Sequence, residues 1–147
     1  MNDKKYKEAI KAFQKSYGLN KQNYDALFYK GVAALDSSLP EKAIADFNEL
    51  IEACPDYRKT MFIVLSIAYR RINDYTGALR TLSKAIAKYP RYIEAYIARG
   101  QIFIFQKKWD KSLSDFHIVI SVAPDNGLGY LGQGDSLKGI GNYNGAL

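Results

Sequence analysis

Apolar residues recur along this chain at intervals of three and four, the spacing of one face of an α-helix, and the whole pattern returns after 34 or 35 residues. Between Lys59 and Tyr92 the landmarks are Phe62, Ser66, Tyr69, Tyr75, Ala78, Leu82, Ala85 and Pro90. A step of 34 forward lands on Tyr96, Gly100, Phe103, Trp109, Ser112, Phe116, Val119 and Pro124. A step of 35 back lands on Leu27, Gly31, Ala34, Pro40, Ala43, Phe47, Leu50 and Pro55. Size and character are kept at each place. A period in this range marks an array in which every unit is one supersecondary element that buries its apolar face against the next.

The period predicts hairpins of a helix A and a helix B. Complete copies occupy residues 24–57, 59–92 and 93–126, with Arg58 as a single extra residue. In the first copy helix A spans about Tyr24 to Asp36, Ser37 to Pro40 make the turn, and helix B ends before Cys54 and Pro55. The next turns fall at Asn73–Asp74 and Lys107–Lys108. Residues 1–23 read as a helix B alone, capped by Asp3 and stopped after Tyr17 by Gly18. Residues 127–147 read as a helix A and, from about Tyr143, the start of a helix B. Incomplete hairpins at both ends suggest an excerpt of a longer array. Gly31, Ser66, Gly100 and Gly134 are small where helix A must approach helix B, and Ala43, Ala78, Ser112 and Ala146 are their small counterparts. The seven glycines between 127 and 145 predict a weak last unit, since an interior helical glycine costs roughly 1 kcal/mol relative to alanine.

These landmarks resemble the tetratricopeptide repeat: an aromatic or leucine, then glycine, then tyrosine on helix A, and alanine, an aromatic and alanine on helix B, closed by proline. The resemblance covers nearly the whole chain. It implies an all-α fold, a right-handed α-solenoid of antiparallel helix hairpins, with helices A lining a concave face. Beside the packing stripe of helix A runs a second apolar stripe, offset by one residue: Phe28, Val32 and Leu35; Ile63, Ile67, Arg70 and Arg71; Ile97, Gln101, Ile104 and Phe105. Residues so spaced share a face. In the family the matching places line the concave surface, so the resemblance implies a largely apolar partner-binding groove, edged by Arg70, Arg71 and Gln101.

Some family members bind acidic chaperone tails through a clamp of Lys, Asn, Asn, Lys and Arg. The corresponding places here hold Phe28, Val32, Val64, Glu94 and Ala98, none of which matches. The expectation is therefore a non-enzymatic scaffold or adaptor module that binds a partner peptide or amphipathic helix without that clamp. Self-association through the open ends is the competing reading.

Composition adjusts this picture only slightly. A hydrophobic fraction of 48% is ample for a core, and no apolar run reaches the roughly 20 residues of a membrane span. One cysteine, Cys54, excludes an internal disulfide and suits a reducing, cytoplasmic setting. A net charge of +6 favours an acidic partner, but the lysines form no continuous stripe, which disfavours nucleic acid and anionic membrane surfaces.

Candidate chemistry is sparse. Gly127, Gly129 and Gly132 spell GxGxxG, yet a helix end and Pro124 precede them where a dinucleotide site needs a strand. His117 lies near Ser114 and Asp115 on one helix, which cannot by itself assemble a nucleophile, base and orienting acid. No metal-ligand spacing or phosphate loop is present, so neither a metal nor a cofactor is expected. Asp25, Asp36, Glu41, Asp46, Glu49 and Glu52 are all expected at solvated helix positions.

Overall fold

The computed structural model describes residues 3–145, and every regular element among them is an α-helix. In chain order these are α1 (Asp3–Leu19), α2 (Tyr24–Asp36), α3 (Pro40–Ala53), α4 (Thr60–Arg71), α5 (Tyr75–Lys88), α6 (Ile93–Phe105), α7 (Trp109–Val122) and α8 (Gly127–Gly145). The chain divides into two compact units, Met1–Ala78 and Leu79–Leu147.

In the first unit α2 packs between α1 and α3, and α4 packs on α3 and touches α2. Leu27, Phe47, Leu50, Met61 and Leu65 are buried in its core. Gly31 is required by the α2–α3 crossing, because a Cβ there would lie 2.9 Å from the tip of the Phe47 ring. In the second unit α6 packs on α7, and α8 packs on both. Tyr96, Ile97, Phe116 and Val119 form its centre, with Ile86, Ile104 and Ile118 against them. Gly100 repeats the role of Gly31: its Cβ would stand 2.8 Å from the Phe116 ring.

The three hairpin turns are built alike. Ser38, Asn73 and Lys107 take positive φ angles of 57°, 60° and 57°. The next amide in each then reaches back across the turn: Leu39 to the Ala34 carbonyl at 2.9 Å, Asp74 to Tyr69 at 2.9 Å, Lys108 to Phe103 at 2.8 Å. This is the Schellman closure of a helix C-terminus, which normally favours glycine at the left-handed residue. Two of the three copies use a residue with no such preference, serine or lysine, at a cost on the order of 1 kcal/mol.

Thirty-four residues after Lys107 stands Gly141, which suits that conformation best, yet it is helical and no glycine has positive φ among the described residues. The expected break before Tyr143 is absent, and α8 runs unbroken to Gly145. Backbone freedom at one glycine does not make a turn when no returning helix is packed there among the described residues. Ala146, the expected partner of Gly134, lies outside the described residues, and nothing stands within 4 Å of a Cβ placed at Gly134. The close approaches of α8 fall instead at Gly132, whose Cβ would lie 2.2 Å from Phe116, and at Gly139, 2.4 Å from Trp109.

Two further local expectations differ. Gly18 does not stop α1, which continues to Leu19; the following turn is organised by Asn23, whose side chain accepts the Ala26 amide at 3.1 Å and donates to Ser16 Oγ at 2.9 Å. Asp46 is not solvated. It is buried because Lys30, reaching from α2, places its ammonium 2.7 Å from Asp46 Oδ1.

Candidate partner-binding faces

The offset stripe of helix A divides, in each unit, into residues that reach solvent and residues that do not. In the first unit Phe28 and Leu35 are buried. The Phe28 ring lies edge-on to Phe47 at 5.8 Å and beside Tyr29 and Tyr57, with the Arg58 guanidinium 5.5 Å above it. Its size and aromaticity therefore serve the hairpin. Val32 and Ile63 are half-buried, and Ile67 is exposed at the centre of α4. Arg70 and Arg71 are exposed in the last turn of α4, where cations oppose the negative end of the helix dipole. Arg71 is also a tie, since its Nη1 donates to the Leu35 carbonyl at the end of α2.

In the second unit Ile97 is buried in the core cluster and Ile104 packs against it. Gln101 and Phe105 are exposed, Phe105 to 66%. Sequence reasoning missed Leu128 and Leu131 on α8, both exposed. The signal is present in the sequence: Leu131 stands 34 residues after Ile97, and Leu128 after Glu94. Between α6, the α6–α7 turn and α8 lies a cleft of about 450 Å³ lined by Ile104, Lys107, Trp109, Asp135, Lys138, Gly139 and Asn142.

Each unit also carries an ion pair between a helix A and a helix B that the sequence reading did not single out. Lys30 and Asp46 in the first unit occupy the repeat positions of Arg99 and Asp115 in the second. Arg99 is bidentate, with Nε 2.9 Å and Nη2 2.7 Å from the two Asp115 oxygens, and its Nη1 donates to Ser83 Oγ at 3.1 Å. The hydrogen bonds to Asp115 raise the Arg99 pKa. Lysine supplies only a point charge, so Asp46 Oδ2 keeps no partner, and burial pushes the Asp46 pKa up despite Lys30. The middle copy has Leu65 and Thr81 at these places. Asp115 is thus committed to Arg99, while His117 is exposed. Gly127, Gly129 and Gly132 open α8 without a preceding strand. Among the described residues no group of three His, Cys, Asp or Glu is gathered as for a metal ion, and no helix is long and apolar enough to cross a membrane.

A sequence profile described as tetratricopeptide repeat matches residues 2–58 and 63–116. The mitochondrial import receptor subunit TOM70 of Homo sapiens is 26% identical over 130 residues, covering 83% of this chain and 21% of the receptor, so the chain spans about a fifth of that relative. Among solved structures, MamA superposes with a TM-score of 0.80 at 24% identity over 93% of this chain and 74% of that one. The first TPR of Spaghetti (RPAP3), bound to the HSP90 peptide SRMEEVD, superposes with a TM-score of 0.72 at 21% identity, covering 82% of this chain and 94% of that one. Two profile matches spanning most of the residues, on helix hairpins with this turn chemistry and these fold neighbours, make the chain a member of the tetratricopeptide repeat family, with the all-α solenoid fold of that family.

Proposed function

We propose that the chain is a protein-interaction module that holds a partner segment, a peptide or an amphipathic helix, on the exposed faces of its A helices. The observation that carries this is a large apolar side chain left in solvent on an A helix of each unit, Ile67 in the first and Phe105 in the second, while the other apolar residues of α4 and α6 are buried or half-buried. Exposed apolar surface beside polar residues marks interaction sites. Arg70 and Gln101 flank the two positions and supply directional hydrogen bonds. The comparison supports the same reading, since a fold neighbour carries a bound peptide. The positions that form a carboxylate clamp in some relatives hold Phe28, Val32, Val64, Glu94 and Ala98, so the partner is held by apolar contact instead. In this reading function is binding, with no chemical step.

Burial decides which positions test it. Ile97→Asp would place a charge in the core of the second unit and report folding, whereas Ile67 and Phe105 report the surface. A photo-crosslinking amino acid placed at 67 or at 105 should trap a discrete partner from a lysate of the source cells, while the same probe at the exposed positions 52 and 117 should not. Identical adducts from all four positions, or none from 67 and 105, would overturn the proposal. Adducts of the chain with itself at 67 or 105 would replace it with self-association.

A further inference from the structure

The cleft of the second unit has a composition that narrows its guest. Its apolar walls are Ile104 of α6 and the Trp109 indole, which lies against Gly139 of α8. Gly139 stands 34 residues after Phe105, so the cleft opens where the preceding copy carries a benzyl group. Its volume of about 450 Å³ accommodates one large aliphatic or aromatic side chain with its flanking backbone. The rim is asymmetric in charge: Lys107 and Lys138 face it against the single carboxylate of Asp135. Neither lysine is held in an ion pair among the described residues. Lys107 is presented by the positive-φ residue of the turn, so its position is set by the backbone.

We infer that this cleft seats an apolar side chain of a partner peptide whose neighbouring residues are acidic, with the peptide carboxylates meeting Lys107 and Lys138. The inference rests on the interaction reading above and specifies the partner chemistry at one of its faces. Opposite charge on the rim favours an acidic segment and repels a basic one. Beyond the cleft the same helix exposes Leu128 and Leu131 rather than further cations, which suits a peptide with apolar positions and not a phosphate backbone.

Trp109 is the only tryptophan and lines the cleft, so its emission reports occupancy without a label. The probe is an N-acetylated, C-amidated hexapeptide of sequence EDLFDE, which should give a saturable change in that emission. The peptide KKLFKK, with the same apolar core, should bind at least about tenfold more weakly. Combining Lys107→Asp with Lys138→Glu should weaken EDLFDE at least about tenfold and strengthen KKLFKK; aspartate is chosen at 107 because it tolerates positive φ. Circular dichroism verifies that the variant keeps its helix content. The absence of a saturable signal with EDLFDE, equal binding of the two peptides, or indifference to the charge reversal would each overturn the inference. If the peptide fails while partners are still trapped at 67 and 105, only the acidic guest is lost; if both fail, the interaction reading falls with it.

Discussion

A buried carboxylate needs two partners, and the ion pairs Lys30–Asp46 and Arg99–Asp115 supply them unequally. Asp115 has both oxygens met by the planar fork of Arg99, whereas Asp46 has one oxygen on Lys30 and the other on nothing. An unmet buried acceptor costs about 1–3 kcal/mol, and a guanidinium carries a second donor that an ammonium cannot place. Exchanging the two cations should therefore move stability in opposite directions: Arg99→Lys lowers the unfolding free energy by about 1–2 kcal/mol, and Lys30→Arg raises it by about 1 kcal/mol. Urea unfolding midpoints of the two variants decide this. Shifts of the same sign would show that the orphaned oxygen is not the controlling difference. The sequence groups Asp46 with the other acids of α3, Glu41, Glu49 and Glu52, at solvated helix positions, and only those three are exposed. The partner of Asp46 sits 16 residues away on another helix, beyond the reach of helical periodicity.

Among the elements, α8 tests most sharply what its residues do. Gly127, Gly134 and Gly141 stand in open space, Gly129 lies against Val119 and Ile120, and Gly132 and Gly139 lie under an aromatic ring. Gly134→Ala adds a methyl where nothing stands within 4 Å and should gain about 1 kcal/mol from helix propensity alone. Gly132→Ala would drive a Cβ to 2.2 Å from the buried Phe116 ring, and overpacking of that kind costs about 1–3 kcal/mol, more than propensity returns. Thermal unfolding of the two variants should move in opposite directions, and equal gains would mean that α8 does not press on Phe116 as described. The same helix shows where sequence reasoning stops. The boundaries of α2 and α3 were legible because proline, caps and apolar spacing agree within single elements. The end of α8 was not, because whether Gly141 turns depends on a packing partner and not on the glycine. For the candidate faces, the repeat offset located the helices, but it could not separate Phe28, Leu35 and Ile97, which are buried, from Ile67 and Phe105, which are exposed. Depth depends on which neighbouring side chains cross over, and those lie on other helices.

For the whole molecule, alkaline pH is the informative stress. Burial, reinforced by a hydrogen bond from its hydroxyl to Glu49 at 2.9 Å, pushes the Tyr17 pKa up to about 12 from the ordinary 10.0; burial and then the nearby Glu94 do the same for Tyr92. In the unfolded chain both phenols lose protons near pH 10, and in the folded chain near 12. The stability they contribute is therefore complete below pH 10 and is lost as the pH rises to 12. Unfolding midpoints should fall across that interval, and Tyr17→Phe should flatten the fall; an unchanged slope would remove Tyr17 from the account. Below pH 10 another property governs how the array holds together. Ser38 and Lys107 are kept in a conformation they would abandon if released, and the glycine that would adopt it freely lies inside a straight helix. The Ser38 and Lys107 turns therefore behave as loaded latches and not as hinges: once the flanking helices part, each relaxes out of its closed form, and that relaxation offsets part of the contact energy lost.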